Sequence, residues 1–171
     1  MTGLRVAAVC VVAIVLQLTV FVDVRISGVA PELLALVAVL AGLFAGPDRG
    51  PTVGFAAGML WDVYLPTPLG VAAIVFAMAA YVVAVLVAGL FHDSLVQLVA
   101  VAWAATTGAV IGYALLAEVV GARGLVDVRM LKVALVAGFM NAVLAPLAAP
   151  LVRWAVGAAH STRPTTPLPV R

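Results

Sequence analysis

Six apolar runs make up almost the whole chain, and short segments of polar and turn-forming residues separate them. Crossing about 30 Å of hydrocarbon takes about 20 helical residues, and the runs have lengths of this order. We therefore predict an all-α integral membrane protein, built as a compact bundle of about six transmembrane helices. The predicted helices cover residues 4–22, 29–45, 51–65, 69–91, 95–120 and 130–156.

The segments between the runs are too short to fold by themselves. We predict one polytopic membrane domain over residues 1–157, without a second domain. The first run is longer than the apolar core of a secretory signal and lacks a small-x-small cleavage pattern, so we expect it to be retained. Residues 158–171 are rich in Ser, Thr, Pro and Arg, which is typical of a disordered C-terminal tail.

The composition agrees with lipid as the solvent of the chain. Hydrophobic residues make up 66% and charged residues 9% of the sequence, and the mean hydropathy is +1.28. A soluble protein carries about 25% charged residues, and it cannot hide this much apolar surface in one core. The net charge of +2 comes from arginines that flank the apolar runs, where anionic lipid headgroups account for them. We find no indication of nucleic-acid binding.

The basic residues favour one orientation in the membrane by a small margin. Six crossings place both termini on the same side. Positive residues concentrate in cytoplasmic loops, so we expect a multi-pass protein of the bacterial plasma membrane with cytoplasmic termini. This orientation places Arg5, Arg49, Arg153, Arg163 and Arg171 inside, and it places Arg25, Arg123, Arg129 and Lys132 outside.

The third run carries Gly54, Gly58 and Asp62 at four-residue steps, which places them on one face of a helix. A Gly-x3-Gly pair lets another backbone approach closely in lipid, and the fifth run contains a second pair, Gly108 and Gly112. A chain rich in Ala and Gly also places small residues four apart by chance. Together the stripes indicate close helix packing without naming a partner. The third run is short, and it either crosses the membrane or dips into it and returns.

Two acidic residues near the run ends are candidates for packing or partner contact. Glu32 follows Pro31 at the start of the second predicted helix, where a carboxylate complements the positive end of the helix dipole. Asp62 follows Trp61 and precedes Tyr64, aromatic residues typical of the headgroup level. Its carboxylate therefore either meets water at the interface or turns toward protein, because it shares a helix face with two glycines.

The remaining polar residues within the runs indicate packing and not chemistry. Asn141 in the sixth run can donate a hydrogen bond to a neighbouring helix, an interaction of about 0.6–2 kcal/mol in membranes. The sequence has no metal-ligand spacing, no glycine-rich phosphate loop and no serine with a nearby histidine and acid. His92 and His160 are isolated, and Cys10 is interpreted as a small packing residue. We predict no enzymatic activity, no metal and no cofactor.

Four segments appear in an order that resembles a known family. The first predicted helix ends in LQLTVF, Pro31 and Glu32 open the second, GPDRG forms the tight turn after it, and GFAAGMLWDVYLPTPLG follows over Gly54–Gly70. Over Leu4–Val156 this order resembles the rod shape-determining protein MreD family. The family more often has Asp at the position of Glu32, which keeps the charge and shortens the side chain.

The resemblance implies a non-catalytic scaffold subunit of the bacterial cell-elongation (rod) complex, which takes part in the regulation of cell shape and peptidoglycan synthesis. It implies MreC as the main partner, then the glycosyltransferase RodA and a class B penicillin-binding protein, and indirectly the actin-like MreB. It also implies a fold similar to the substrate-binding subunits of energy-coupling-factor transporters. We expect Gly54, Gly58 and Asp62 to form a contact stripe, with Pro68 and Gly70 shaping the turn that presents it.

The transporter fold provides an alternative function, the substrate-binding membrane subunit of a vitamin-type transporter. Such a subunit needs a pocket in which several polar groups orient one ligand. The predicted helices contain few polar residues away from their ends, namely Gln17, Thr106, Thr107 and Asn141. This scarcity favours the scaffold.

Overall fold

The computed structural model describes residues 2–65, 68–87, 94–122 and 124–157, and these residues form five α-helices. Helices α2, α4 and α5 are long and apolar enough to cross a membrane, and α1 and α3 are shorter apolar helices. The predicted tail at 158–171 lies outside the described residues. The helices are α1 (Thr2–Thr19), α2 (Leu33–Asp62), α3 (Val71–Leu86), α4 (Leu95–Val119) and α5 (Val128–Val156).

Helix α2 folds back on itself at Gly46. This residue has φ 75° and ψ −176°, a backbone conformation that is essentially restricted to glycine. A Cβ built at Gly50 would lie 2.7 Å from the Cα of Gly42, whereas eight residues of straight helix span about 12 Å. Residues 33–45 and 47–62 therefore lie side by side, and we call them the first and second arms of α2.

The described residues thus form five helices where the sequence predicts six, and this difference corrects the predicted architecture. The second and third predicted runs are the two arms of one helical element. The segment GPDRG, predicted as a connection, is helical on both sides of Gly46. One glycine conformation is enough to reverse the chain, and Pro47 then starts the second arm where its missing N–H costs no hydrogen bond.

The first arm of α2 lies at the centre of the bundle. Every residue from Leu33 to Leu43 is buried, so this arm has no polar or exposed face. Helix α2 contacts each of the other four helices. A helix that is apolar all round is either a span exposed to lipid or, as here, a helix enclosed by its neighbours. The other helices of the bundle are therefore arranged around the first arm.

The outer surface of the bundle is strongly apolar. Large hydrophobic side chains on every helix are more than a third exposed, among them Leu4, Met78, Val96 and Leu147. Soluble proteins rarely expose contiguous apolar surface on this scale. The surface therefore agrees with the apolar helix lengths in indicating a membrane as the solvent.

The bend predicts that Gly46→Ala destabilises the protein. No atom lies within 4 Å of the added Cβ, so the substitution tests backbone conformation alone. We expect a loss of about 1–3 kcal/mol in the free energy of unfolding, because this conformation is strained for any other residue. Unfolding of the purified protein in detergent measures the loss.

Gly108→Ala is the matched control, because this helical glycine also has open space around its Cβ. Alanine favours a helix, so this variant should be as stable as the wild type or slightly more stable. Equal stability of the Gly46→Ala variant and this control would contradict the role of the bend.

Candidate functional site

Gly54 and Gly58 bring the second arm of α2 into backbone contact with α3. A Cβ built at Gly54 would lie 2.6 Å from the carbonyl oxygen of Phe76, and a Cβ at Gly58 would overlap the carbonyl oxygen of Ala72. Both glycines are buried. Close backbone approach of this kind supplies the van der Waals contact that holds helices together in lipid. The first Gly-x3-Gly pair is therefore used inside the bundle.

Asp62 continues this stripe and holds the start of α3. Its side chain is 1% exposed, and its carboxylate oxygens accept hydrogen bonds from the N–H groups of Gly70 (2.9 Å), Ala72 (2.9 Å) and Ala73 (3.0 Å). The first amides of a helix lack partners within the helix and form its positive end. Gly70, at φ 101°, gives the turn its shape, and Pro68 in the same connection is exposed. The carboxylate thus turns toward protein and not toward water.

Two more glycines make close contacts that sequence reasoning missed. A Cβ at Gly42 would overlap the carbonyl oxygen of Ala80 in α3, and Gly50 lies against Gly42 itself. A signal for both was present, because glycines occur at every fourth position from Gly42 to Gly58. The spacing continues through GPDRG, the segment interpreted as a connection. It marks the line along which the two arms and α3 meet.

The start of α2 is held by polar side chains from two other helices. The Nδ2 of Asn141 in α5 donates to the backbone oxygen of Glu32 (2.8 Å), and the N–H of Leu33 donates to the Oε1 of Gln17 in α1 (2.8 Å). Glu32 occupies the N-cap position, but its side chain does not cap the helix. Asn141 is fully buried, and its Oδ1 has no hydrogen-bond partner within the described structure. These side chains join α1, α2 and α5 through backbone atoms.

Helix α4 has one face packed on α5 and another that is open. On the packed face the Oγ1 of Thr107 donates to the backbone oxygen of Ala134 (3.3 Å), and a Cβ at Gly138 would overlap the same hydroxyl. On the other face Gly108 has no atom within 4 Å of a built Cβ, and Gly112 has only a side-chain contact at 3.6 Å. The second Gly-x3-Gly pair, unlike the first, is not filled by any residue that the structure describes.

Gly108 and Gly112 line a groove between α3 and α4, which we call the α3–α4 groove. Its volume is about 620 Å³, and its walls are apolar side chains such as Met78 and Leu115. It does not have the several converging polar groups that orient a small ligand.

Few groups of the described structure have the chemistry of a catalytic or metal site. No cluster of three or more His, Cys, Asp or Glu side chains in the described ranges could hold a metal ion. His92 and His160 lie outside these ranges. Glu118 accepts hydrogen bonds from the N–H groups of Leu125 and Val126, so it ties down the connection between α4 and α5. The features of the described residues that remain are apolar surfaces, such as the α3–α4 groove, which suit contact with lipid or with other helices.

The helices and their packing define the class: this is an all-helical protein with helices apolar enough to cross a membrane. The model of the family described as rod shape-determining protein MreD matches residues 2–154. The chain therefore belongs to the MreD family, and this membership implies a role in determining rod shape. MreD proteins are known as shape-determining structural proteins and not as enzymes.

No curated protein and no solved structure matches the chain. The expected similarity to the substrate-binding subunits of energy-coupling-factor transporters is therefore not supported, and the transporter alternative has no support either.

The geometry of Asp62 predicts that Asp62→Asn destabilises the bundle. The amide keeps one acceptor oxygen and brings an NH₂ group toward the N–H donors at the start of α3. A buried donor left without an acceptor costs about 1–3 kcal/mol, and we expect a loss of this size in the free energy of unfolding in detergent. The exposed Asp23 provides the control: Asp23→Asn should change stability by less than about 0.5 kcal/mol. Equal effects of the two variants would contradict the capping role.

Proposed function

We propose that this chain is a non-catalytic membrane scaffold subunit of the bacterial cell-elongation complex, through which it regulates cell shape and peptidoglycan synthesis. The proposal rests on the hydrogen bonds that the buried polar side chains make. Three of the four buried polar side chains of the described residues, Asp62, Gln17 and Asn141, bind backbone atoms of this chain, so most of the polar interior holds helices together. The surface that remains for function is apolar and suited to contact with lipid or with other helices.

We propose that the chain crosses the plasma membrane six times, through α1, the two arms of α2, α3, α4 and α5. Two cation–π contacts support the placement of both termini of the described bundle at the same end. The guanidinium of Arg5 in α1 lies 4.9 Å from the ring centroid of Trp154 in α5, and that of Arg153 lies 4.5 Å from the ring of Phe44, near the bend of α2. Arg49 lies in that bend, so three arginines meet at this end, which the positive-inside rule places in the cytoplasm.

The depth of the polar contacts fits this placement. From Trp154 to Asn141 helix α5 rises about 20 Å, and from Arg5 to Gln17 helix α1 rises about 18 Å. With the Arg5–Trp154 contact at the headgroups, α2 starts about two-thirds of the way across about 30 Å of hydrocarbon. Irregular backbone at such depth is tolerated only when protein buries it, and Val29 and Pro31 before the helix are buried. The scaffold thus uses its scarce polar groups to stabilise a helix end within lipid.

Cysteine labelling tests the placement. In a Cys10→Ala background, Ser27→Cys and Asp48→Cys place a single thiol on exposed residues of the α1–α2 connection and of the α2 bend. We expect a membrane-impermeant maleimide added to spheroplasts to label the first variant and to label the second only after lysis. Labelling of both before lysis would contradict six crossings, and the reverse pattern would contradict the orientation.

We propose the α3–α4 groove as the contact surface for the main partner, MreC. Of the two Gly-x3-Gly pairs only the Gly108–Gly112 pair leaves room for another backbone. Close packing of this kind is the usual means of helix association where lipid removes the hydrophobic drive. RodA, a class B penicillin-binding protein and, indirectly, MreB complete the set of partners that we propose.

Two leucine substitutions separate partner contact from internal packing. Gly108→Leu should leave the unfolding of the isolated protein near the wild-type value and reduce the capture of co-expressed MreC about tenfold, since it fills the open groove. Gly58→Leu should instead destabilise the protein, because its side chain meets the backbone of α3.

The control is Ala100→Leu, which enlarges an exposed small residue of α4 that does not line this groove. It should affect neither stability nor capture. Wild-type capture of MreC by the Gly108→Leu variant would rule out the α3–α4 groove as its site.

A further inference from the structure

A second groove runs along the surface between α1 and the second arm of α2, and we call it the α1–α2 groove. Its volume is about 500 Å³. The residues that line it recur at three- and four-residue steps on each helix, so one face of each helix forms a wall. Apolar or small side chains predominate, among them Val6, Ala7, Cys10, Val53 and Ala56.

The groove has a polar mouth at one end only. Arg49 and Thr52 line it close to the bend of α2, beside Gly3 of α1 and Val156 of α5. Unlike Arg5 and Arg153, which lie over aromatic rings, the exposed Arg49 has no ion pair or hydrogen bond with any described residue.

Helix ends of both signs meet at this mouth. Helix α1 and the second arm of α2 both begin here, and helix N-termini carry partial positive charge that favours phosphate. The C-termini of the first arm of α2 and of α5 lie here as well, and their partial negative charge opposes that of the N-termini. Asp48, the acidic neighbour of Arg49, is exposed and does not line the groove. Arg49 is the charged side chain that lines the groove, so the mouth is cationic.

We propose that the α1–α2 groove binds one anionic phospholipid, with its phosphate at Arg49 and Thr52 and an acyl chain between α1 and the second arm. This inference rests on the membrane placement proposed above. The apolar walls match an acyl chain, and basic pockets between helices on the cytoplasmic side are typical sites for anionic headgroups. A transmembrane helix in the groove would cover the apolar walls but leave the Arg49 charge without a counter-ion.

Native mass spectrometry of the delipidated protein in detergent tests the site. Phosphatidylglycerol and phosphatidylcholine with identical acyl chains are titrated separately, and the fraction of protein with one bound lipid is compared. We expect the wild type to prefer phosphatidylglycerol about fivefold, the effect of one arginine near the headgroup. Arg49→Gln should abolish the preference. Ala56→Phe, which fills the groove and keeps the arginine, should reduce binding of both lipids.

Arg129→Gln is the matched control, since this arginine is also exposed but lies at the start of α5, at the other end of the bundle. It should keep the wild-type preference. Equal affinity of the wild type for the two lipids, or an unchanged preference in the Arg49→Gln variant, would overturn the proposal. Loss of MreC capture in both the Arg49→Gln and the Ala56→Phe variant, with lipid binding unchanged, would also overturn the proposal and would assign the α1–α2 groove to a protein helix. Maleimide labelling and MreC capture by the wild type do not depend on this result, so failure here leaves the proposed function standing.

Discussion

The enclosure of one apolar helix arm by the rest of the chain is the constraint on which this structure depends. The first arm of α2 is buried from Leu33 to Leu43, so neighbours must approach it from every direction. One of these neighbours is the second arm, which returns alongside the first arm through the glycine conformation at Gly46. Gly42 and Gly50 remove the side chains that would keep α3 and the second arm at a distance. The bend and the glycine spacing are thus two parts of one packing solution.

The polar residues of the interior follow from the same constraint. A helix that begins inside the bundle exposes amide groups that water cannot reach, and each unsatisfied group is costly. Gln17 accepts a hydrogen bond from such an amide at the start of α2, and Asp62 does the same at the start of α3. Asn141 instead donates to the backbone oxygen of Glu32, just before α2. These three contacts connect α1, α2, α3 and α5 in a definite register. In a chain with few polar groups, most of those that are buried serve the backbone.

The function that we propose uses the surfaces that the described residues leave open. The α3–α4 groove is apolar along its whole length and has open space at Gly108, which fits another helix better than a polar ligand. The α1–α2 groove differs, because Arg49 gives it a charged mouth at the end where the termini of the described bundle meet. Both surfaces suit the contact role within the membrane that we propose for this chain. The chemistry of the elongation complex would then reside in its partners.

Sequence alone determined the class of this protein and its family, because apolar runs of membrane length and the order of motifs from LQLTVF to Gly70 are properties of the linear pattern. It did not decide how the runs are connected. GPDRG consists of turn-forming residues, and only the structure shows that a single residue, Gly46, makes the turn while helix continues on both sides. Nor could periodicity separate the two Gly-x3-Gly pairs. In the sequence, a stripe of small residues looks the same whether it packs against a helix of the same chain, as at Gly58, or faces open space, as at Gly108. The difference depends on where distant segments of the chain lie, and only the tertiary packing sets their positions.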